Sequence, residues 1–358
     1  MPNFLISYSG WKVDTSTDSR TCTDFCCKKM ILITGGAGYV GSHFVRVYAL
    51  ENPNNRAVVL DNLCRGHREA VYEDERIKFV SADLGDRKAV GEILTKYPIE
   101  AVVHFAASAY VGESQSDPFK YLRNNVVESL TFFESLEAHG VRKLVFSSTC
   151  ATYGDPEYSP MDEKHPQHPK NVYGMTKLMT EQALRSLALS AGWASVSLRY
   201  FNAAGASPDG QFGESHEPET HLIPNILKVA AGREKSLTIN GNDYETPDGT
   251  CVRDYVHVDD LASAHLKALS LLENESKAQA LACNLGTATG ASILEVVANC
   301  EEVTKRSIAY NFAPRRSGDP ARLVANARHA ESLLGWRPAY DLKQTIETAW
   351  NWEQRRRY

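Results

Sequence analysis

From residue 30 onward, short apolar runs alternate with longer segments in which apolar and polar positions mix. The runs are rich in β-branched residues, as strands are, and cover residues 30–36, 57–62, 77–83, 101–107, 143–149 and 194–202. They are apolar almost throughout, which is typical of strands covered on both faces. Helical patterns between them include residues 89–97, 119–138 and 174–191. This order predicts an α/β fold with a doubly wound parallel sheet.

A glycine-rich turn follows the first predicted strand and opens the first helix. It reads TGGAGYVGSH over residues 34–43, with Gly35, Gly38 and Gly41 at three-residue spacing. Glycines permit a tight turn and a close approach to a pyrophosphate, which the helix N-terminus attracts. Asp61 ends the second predicted strand, where a carboxylate accepts both ribose hydroxyls and repels a 2′-phosphate. The pattern favours NAD over NADP; the simpler alternative is that the glycines only close a turn.

Tyr173 lies just before the helical pattern of residues 174–191, and Lys177 lies within that pattern, four positions later. Tyr173 and Lys177 therefore project from the same helix face. Lowering a phenol pKa from ~10 to ~7 requires about 4 kcal/mol, and a unit charge at ~4 Å supplies roughly that amount at an effective dielectric of 20. With a positively charged nicotinamide nearby, the pair becomes a general base. The alternative is an ordinary pair on a solvated face.

Thr149 is the third candidate for the chemistry. It ends a predicted strand at its carboxyl end, where ligands of open α/β sheets bind. Its hydroxyl there can bridge the tyrosine and a hydroxyl of the substrate. Three residue types in the expected order favour a catalytic reading over a structural one.

Composition narrows the class of ligand. The 358 residues are 43% hydrophobic and 23% charged, which suits a folded protein with a full core. The net charge of −5 is scattered, so no nucleic-acid footprint or basic membrane patch is expected. No apolar run approaches the ~18 residues of a membrane span. We therefore expect a soluble cytoplasmic protein with a small-molecule ligand.

The cysteines and histidines give no clear metal signal. Eight cysteines without paired spacing read as reduced thiols of a cytosolic protein. Cys22, Cys26 and Cys27 do cluster, but no histidine or second cysteine pair accompanies them, so no metal site is expected. Solvent exposure is the expected state of three histidines in polar loops, which are His165, His168 and His216.

The chain resembles the extended short-chain dehydrogenase/reductases, and within them the UDP-galactose 4-epimerase family. The resemblance runs from Met30 to the C-terminus and rests on long, specific stretches. These are TGGAGYVGSH (34–43), HFAA (104–107), VGES (111–114), NN (124–125), FSSTCATYG (146–154), VYGMTK (172–177), RYFNAAGA (199–206), HLIPNI (221–226), GNDYETPDGTCVRDYVHVDDLA (241–262) and APRRSGD (313–319).

The resemblance implies site residues. The implied catalytic residues are Thr149, Tyr173 and Lys177. The implied NAD contacts are Gly35, Gly38, Tyr39, Val40, Gly41, Asp61, Asn62, Asp83, Leu84, Phe105, Ala106, Asn125, Ser147, Tyr173 and Lys177. The implied substrate contacts are Thr149, Tyr173, Phe201, Asn202, His221, Leu222, Arg253, Arg316, Asp319 and Leu323. His221 stands where relatives often carry asparagine.

The two arginines of that set also make chemical sense on their own. Arg253 and Arg316 come from separate segments, and guanidinium forks match phosphate geometry, so the pair can clamp a diphosphate. Each segment also contains an aspartate, so surface ion pairing is the alternative reading of either arginine.

The implied reaction is reversible epimerisation at C4 of a UDP-hexose, by transient oxidation to a 4-keto sugar with tightly bound NAD. Nucleotide-sugar 4,6-dehydratases carry an Asp-Glu pair directly after the threonine, whereas this chain has Cys150 and Ala151, so elimination of water is disfavoured. Leu323, where some relatives have tyrosine, leaves room for a 2-N-acetyl group. UDP-N-acetylglucosamine, UDP-xylose or UDP-arabinose as substrate, and a catalytically silent NAD-binding sensor, stay open.

The family pattern also implies a domain layout. Residues 30–198 are expected to form the NAD-binding Rossmann domain. Residues 199–358 should form mainly the substrate-binding domain, with 256–287 returning to the sheet. Residues 1–29 read as a disordered extension or a mis-assigned start, because a strand begins at once after them. A homodimer through helices 119–138 and 174–191 is expected.

Overall fold

A seven-stranded parallel sheet with helices on both faces forms the centre of the molecule. The structure is a computed structural model that describes residues 29–274, 277–316 and 318–358. In chain order the strands are β1 (Met30–Thr34), β2 (Ala57–Asp61), β3 (Ile77–Ser81), β4 (Ile99–His104), β5 (Lys143–Thr149), β6 (Ala194–Tyr200), β7 (Asn202–Ala204), β8 (Leu237–Asn240), β9 (Val252–Arg253), β10 (Tyr255–His257), β11 (Gln279–Leu285), β12 (Ala291–Ser292), β13 (Tyr310–Ala313) and β14 (Arg322–Leu323). The extension proposed for residues 1–29 lies almost wholly outside the described residues, as do Cys22, Cys26 and Cys27.

The helices alternate with the strands as a doubly wound fold requires. In chain order they are α1 (Tyr39–Glu51), α2 (Arg87–Lys96), α3 (Val111–Ser116), α4 (Pro118–Leu122), α5 (Glu128–Ala138), α6 (Val172–Ala191), α7 (Leu222–Ala230), α8 (Val258–Asn274), α9 (Ile293–Thr304), α10 (Arg328–Leu334) and α11 (Leu342–Arg355). No helix in the described part of the chain is both long and apolar enough to cross a membrane.

The sheet order creates a crevice at its carboxyl edge. The order is β11-β6-β5-β4-β1-β2-β3, with every neighbouring pair parallel. The chain leaves β1 toward β2 and β3 on one side, and continues from β4 on the other. Connections that diverge in this way leave an opening outside the strand ends, where ligands of such sheets bind. The predicted fold class and all six predicted strands are confirmed.

Burial on both faces explains why these strands lack polar alternation. All five residues of β1 are buried. Ile31 and Ile33 pack into one apolar cluster, which also contains residues of α1 and α8. Met30 and Leu32 pack into another on the opposite face, with residues of α2 and α5. A strand covered by two helical layers has no solvent face on which a polar residue would be favoured.

The single helix predicted over residues 119–138 is wrong in detail. The chain forms α4, then a wider π-helical turn at Arg123–Val127, and then α5. The turn includes Asn125, whose buried amide donates to the backbone carbonyl of Ser108 at 2.9 Å and accepts from the amide of Ser108 at 2.8 Å. These two hydrogen bonds hold Asn125 at the π turn that interrupts the helix. Such turns are frequent at functional sites.

A smaller lobe stands over the carboxyl edge of the sheet. Its apolar cluster contains residues of α7, α9 and α11, with Ile226, Val296 and Ile346 fully buried. Three small sheets complete the lobe or join it to the sheet: β8 with β13, β9 with β12 and β14, and β7 with β10. The last of the large sheet's strands, β11, pairs with β6 and so returns the chain to that sheet.

Candidate active site

A cleft of about 1300 Å³ runs along the carboxyl edge of the sheet and under the smaller lobe. This volume exceeds the roughly 300–1,000 Å³ typical of a site for one small ligand, which indicates space for two ligands side by side. Most of the predicted site residues line it. They are Gly35, Gly38, Tyr39, Val40, Gly41, Asp61, Asn62, Leu84, Phe105, Ala106, Thr149, Tyr173, Phe201, Asn202, His221, Leu222, Arg253, Arg316, Asp319 and Leu323.

Four predicted site residues lie outside the lining of the cleft. Lys177, Ser147 and Asn125 are buried in its wall. Ser147 hydrogen-bonds the hydroxyl of Tyr200 at 2.9 Å, and Tyr200 itself lines the cleft. Asp83 accepts a hydrogen bond from the Asn62 amide at 2.6 Å. These residues contact side chains that line the cleft. The sequence alone cannot distinguish that supporting role from direct contact with a ligand.

The glycine turn is closely packed against the chain around it. Gly35 has a φ of +71°, and a Cβ there would stand 2.5 Å from the backbone nitrogen of Ala106. A Cβ on Gly41 would stand 2.2 Å from the carbonyl oxygen of Gly35. Gly38 is the N-cap of α1 and offers no side chain. The free amides at the start of α1 are thus accessible from the cleft and suited to a diphosphate.

Asp61 connects the glycine turn to the end of β2. Its carboxylate accepts from the amide of Ala37 at 3.0 Å and from the amide of Leu63 at 2.8 Å. Burial raises the pKa of Asp61, and these two hydrogen bonds oppose the rise. The remaining lone pairs of the carboxylate are available to a ribose, so the residue fits the predicted NAD site.

Tyr173, Lys177 and Thr149 come together at the floor of the cleft. All three side chains are buried. The Lys177 ammonium donates to the carbonyl of Ser147 at 2.8 Å and lies 5.9 Å from the centre of the Tyr173 ring. The Ser147 carbonyl, near the end of β5, therefore holds the Lys177 ammonium group one helical turn from Tyr173.

Burial opposes charge on both members of this pair. Burial raises the pKa of Tyr173, to which Tyr200 adds, while the Thr149 hydroxyl opposes the rise. Burial also lowers the pKa of Lys177 to about 7, against the attraction of Glu181. A phenolate therefore needs additional positive potential in the cleft, which an oxidised nicotinamide would provide.

We expect Lys177→Met to stabilise the protein, and more so at neutral than at alkaline pH. Between a folded pKa of about 7 and the ordinary 10.5, the unfolded chain holds a proton on Lys177 that the folded chain lacks, so this group's contribution to stability rises with pH. Thermal unfolding of both proteins at about pH 7 and about pH 9.5 measures the difference. Lys88→Met, at an exposed position, is the control. An equal gain at both pH values would contradict a lowered pKa.

A buried ion pair behind the lysine was missed from the sequence. Glu181, one turn after Lys177 on α6, accepts from Nε of Arg199 at 2.9 Å and from its Nη2 at 2.5 Å. Both side chains are 1% exposed. Ser148 donates to the same carboxylate at 2.6 Å, so the network reaches the strand that carries Thr149. The available signal was Arg199 itself, the one charged residue of β6.

The smaller lobe contributes charged residues to the opposite wall of the cleft. Arg253 donates to the carboxylate of Asp319 and, through Nη1, to the carbonyl of Val252 at 2.8 Å. Arg316 contacts the side-chain amide of Asn240 at 3.2 Å. The two guanidinium groups thus face one cleft from separate strands and loops. Asp319, predicted as a ribose contact, also holds Arg253.

The expected exposure of two histidines is wrong. His165 is 3% exposed and accepts from the amide of Glu157 at 2.8 Å. The His216 side chain is 17% exposed and faces Glu214 and Glu219. Burial lowers the pKa of His216, but the two carboxylates outweigh it and raise the pKa to about 9. His168 is exposed as predicted.

The fold and site together define a class. A Rossmann sheet, a glycine turn, an acidic residue after β2 and a buried Tyr-x-x-x-Lys pair beside a strand-end threonine are the features of an extended short-chain dehydrogenase/reductase. The family model described as GDP-mannose 4,6 dehydratase matches residues 32–349.

Relatives place the chain within that class. It is 47% identical over 325 residues to the UDP-glucose 4-epimerase of Lacticaseibacillus casei, covering 90% of this chain and 96% of the relative. The crystal structure of Brucella ovis UDP-glucose 4-epimerase in complex with NAD is 46% identical with a TM-score of 0.86, covering 90% and 97% of the two chains. That of Bifidobacterium longum, with NAD⁺ and UDP, is 34% identical with a TM-score of 0.85, covering 91% and 98%. The chain belongs to the UDP-glucose 4-epimerase family.

Proposed function

We propose that this protein is an NAD-dependent epimerase that interconverts UDP-glucose and UDP-galactose at C4 of the sugar. The observation that carries the proposal is the buried Thr149, Tyr173 and Lys177 arrangement on the floor of a cleft with room for two ligands. The relatives described above are epimerases, and two of them hold NAD, one with UDP as well.

The residues present fit NAD. The free amides at the start of α1 and the close approach allowed by Gly35 and Gly41 suit its diphosphate, and the Asp61 carboxylate suits its adenosine ribose. When bound, NAD⁺ accepts the hydride from sugar C4 and returns it. The remaining predicted NAD contacts in the cleft lining are Tyr39, Val40, Asn62, Leu84, Phe105 and Ala106.

Tyr173 would act as the base toward the sugar 4-hydroxyl. Lys177 lies behind the phenol and supplies part of the potential that an anion at Tyr173 requires. Thr149, at the end of β5, places its hydroxyl beside the phenol and opposes the rise of its pKa. With the 4-hydroxyl proton held on Tyr173 and the C4 hydride given up to the bound cofactor, the sugar would be a 4-keto species. The same phenol then returns the proton after the sugar has turned over, so C4 is inverted without net oxidation.

We assign the UDP moiety to the wall formed by the smaller lobe. Arg253 and Arg316 face the cleft and are able to grip a diphosphate, while Asp319 is suited to the uridine ribose. The other predicted substrate contacts in this wall are Phe201, Asn202, His221, Leu222 and Leu323. A grip on the diphosphate alone leaves the sugar free to rotate between its two orientations.

Elimination of water is the chemistry of related dehydratases and is not favoured here. The positions after Thr149 are Cys150 and Ala151, which begin a short 3₁₀ turn. Burial raises the pKa of the Cys150 thiol to about 12, so it is a poor acid or base at neutral pH. Neither residue can protonate a leaving hydroxyl as a carboxylic acid would.

The test is conversion of UDP-galactose by the purified protein with no added cofactor, followed by proton NMR. Formation of UDP-glucose supports an epimerase that retains NAD through turnover. Absence of conversion, with NAD found in the protein after denaturation, would leave another UDP-sugar such as UDP-xylose or UDP-arabinose. A silent NAD-binding sensor remains if no UDP-sugar reacts. Finding neither NAD nor turnover would contradict the proposal.

We expect the enzyme also to turn over UDP-N-acetylgalactosamine. Leu323 lines the cleft next to Phe201, and leucine occupies less space than the tyrosine of some relatives. Leu323→Tyr should abolish turnover of the N-acetyl substrate and leave that of UDP-galactose within a few-fold, measured by NMR for both substrates. Leu323→Ala is the control that keeps both. Undetectable turnover of the N-acetyl form by the unchanged enzyme would contradict this specificity.

We also propose that the protein is a homodimer in the cytoplasm. Apolar side chains are exposed on α4, α5 and α6, with Phe119 78% exposed. They include Phe119, Leu130, Met175, Met179 and Leu189. The cysteines in the described part of the chain are free thiols, which suits a reducing compartment.

Light scattering after size exclusion should give twice the mass of one chain. Phe119→Asp with Leu130→Asp should give a monomer, because charges on a shared apolar face disfavour its burial. Leu50→Asp, at an apolar position on α1 that is 57% exposed, is the control and should leave the dimer intact. A monomeric wild-type protein would refute the assembly.

A further inference from the structure

Four side chains that can bind a metal converge on the loop that enters α7. They are Glu214, His216, Glu219 and His221, and one donor atom from each lies within 4.8 Å of the other three. Nδ1 of His216 is 3.0 Å from Oε1 of Glu214 and 3.8 Å from Oε1 of Glu219. Nδ1 of His221 contacts the same oxygen of Glu214. The sequence spacing Glu-x-His-x-x-Glu-x-His brings all four together without help from another segment.

One nitrogen of this cluster lacks a hydrogen bond. Nδ1 of His216 is buried. It faces the carboxylates of Glu214 and Glu219 but forms no hydrogen bond with either. A buried imidazole nitrogen that faces two carboxylates at 3.0 and 3.8 Å without donating to them is the arrangement expected of ligands that share a cation. The unpartnered atom and the convergence of donors are two separate observations.

The surrounding chain holds the loop in place from two sides. Trp352 of α11 donates to the carbonyl of Glu214 at 2.9 Å. From the Rossmann domain, Arg65 donates to the carbonyl of Glu217 at 3.0 Å, and the ring of Tyr39 stands edge-on to His216 at 6.3 Å. A metal site needs ligands whose positions are fixed by such supporting contacts.

We propose that Glu214, His216, Glu219 and His221 bind one Zn²⁺ ion. Two imidazoles and two carboxylates suit a borderline cation in a tetrahedral site, and two carboxylates balance its charge. Ligand bonds of about 2.0–2.1 Å place tetrahedral donors roughly 3.3 Å apart, between the two separations of 3.0 and 3.8 Å at His216. Small movements of the loop complete the site.

The role of the metal is structural. It ties together the loop that carries His216, Glu219 and His221, three residues that line the cleft. Tyr39 contacts this loop on one side and α11 contacts it on the other. The four proposed ligands leave no open position for a reacting group, so the chemistry at Tyr173 proceeds without it. Zinc therefore takes no part in the chemical step, although His221 is also a predicted substrate contact, and its binding is tested apart from turnover.

The experiment measures zinc in the full-length protein, purified without a histidine tag and free of UDP-sugar, which itself binds cations. After dialysis against a chelator and then ZnCl₂, plasma mass spectrometry should find one zinc per chain, and calorimetry should give its affinity. His216→Gln and Glu219→Gln should each weaken binding by at least about 100-fold. His168→Gln, at an exposed histidine elsewhere, should bind as the wild type does.

A triple variant separates this cluster from the other candidate ligands. Cys22→Ser with Cys26→Ser and Cys27→Ser removes the N-terminal cysteines and should leave zinc binding unchanged. Loss of zinc in that variant, or equal zinc content in wild type and His216→Gln, would overturn the proposal. So would a wild type without zinc, which would make the cluster an ion-pair network only. Melting temperatures of all variants in chelator show whether each one folds.

Discussion

Tyr173→Phe is expected to lower kcat by roughly 10³-fold, since a positioned general acid–base contributes about 10²–10⁴-fold. The ring stays in place because the site is buried and phenylalanine fills the same volume apart from the hydroxyl. The variant should therefore keep its bound NAD, measured after denaturation, and its affinity for UDP. Progress curves of UDP-galactose conversion by NMR give kcat directly.

The matched control is Tyr158→Phe, whose hydroxyl bonds Asp162 at the surface, 2.7 Å away. It should retain wild-type turnover. Turnover by Tyr173→Phe above about a tenth of wild type would assign the base to another group, since a base's removal costs ~10² or more.

Glu181→Gln is expected to destabilise the fold by about 3–5 kcal/mol, the cost of leaving a buried charge without its partner. Glu181 and Arg199 are both 1% exposed, so the remaining guanidinium has no access to water. Unfolding in urea, followed by circular dichroism with NAD content held constant, measures the loss. Turnover should fall as well, because Glu181 favours the charged form of Lys177.

A double variant distinguishes the cost of an orphaned charge from the cost of lost packing. Glu181→Leu with Arg199→Met removes both charges and should recover most of the stability lost in the single variant. Glu331→Gln removes one partner of the surface pair with Arg337 and should change stability little. A single variant as stable as the wild type would mean that the buried pair contributes nothing.

The sequence predicts the sheet well because parallel strands covered on both faces have an unbroken apolar pattern. It predicts Tyr173 and Lys177 as neighbours because four residues make about one helical turn. It cannot predict that Lys177 is held by the carbonyl of Ser147, since that contact depends on how α6 packs against β5. It likewise misses the pair between Arg253 and Asp319, which are 66 positions apart.

Loop composition is a poor guide to burial in this chain. His216 lies in a polar segment that sequence patterns assign to solvent. The contacts that cover the segment come from Tyr39 and from Trp352, residues far away along the chain. The π turn at Asn125 also depends on a distant contact, because the buried Asn125 amide hydrogen-bonds the backbone of Ser108, which lies in a different loop. Local pattern fails wherever a tertiary partner sets the conformation.

The two amide hydrogen bonds of Asp61 connect cofactor choice to folding. Its carboxylate accepts from Ala37, inside the glycine turn, and from Leu63, just after β2. Replacement by a small neutral residue, the simplest route to admitting a 2′-phosphate, leaves those two amides without an acceptor, at about 1–3 kcal/mol for each group that stays buried. Preference for one dinucleotide and integrity of the turn therefore depend on the same carboxylate, so a substitution that admits a 2′-phosphate must also supply new acceptors for these two amides.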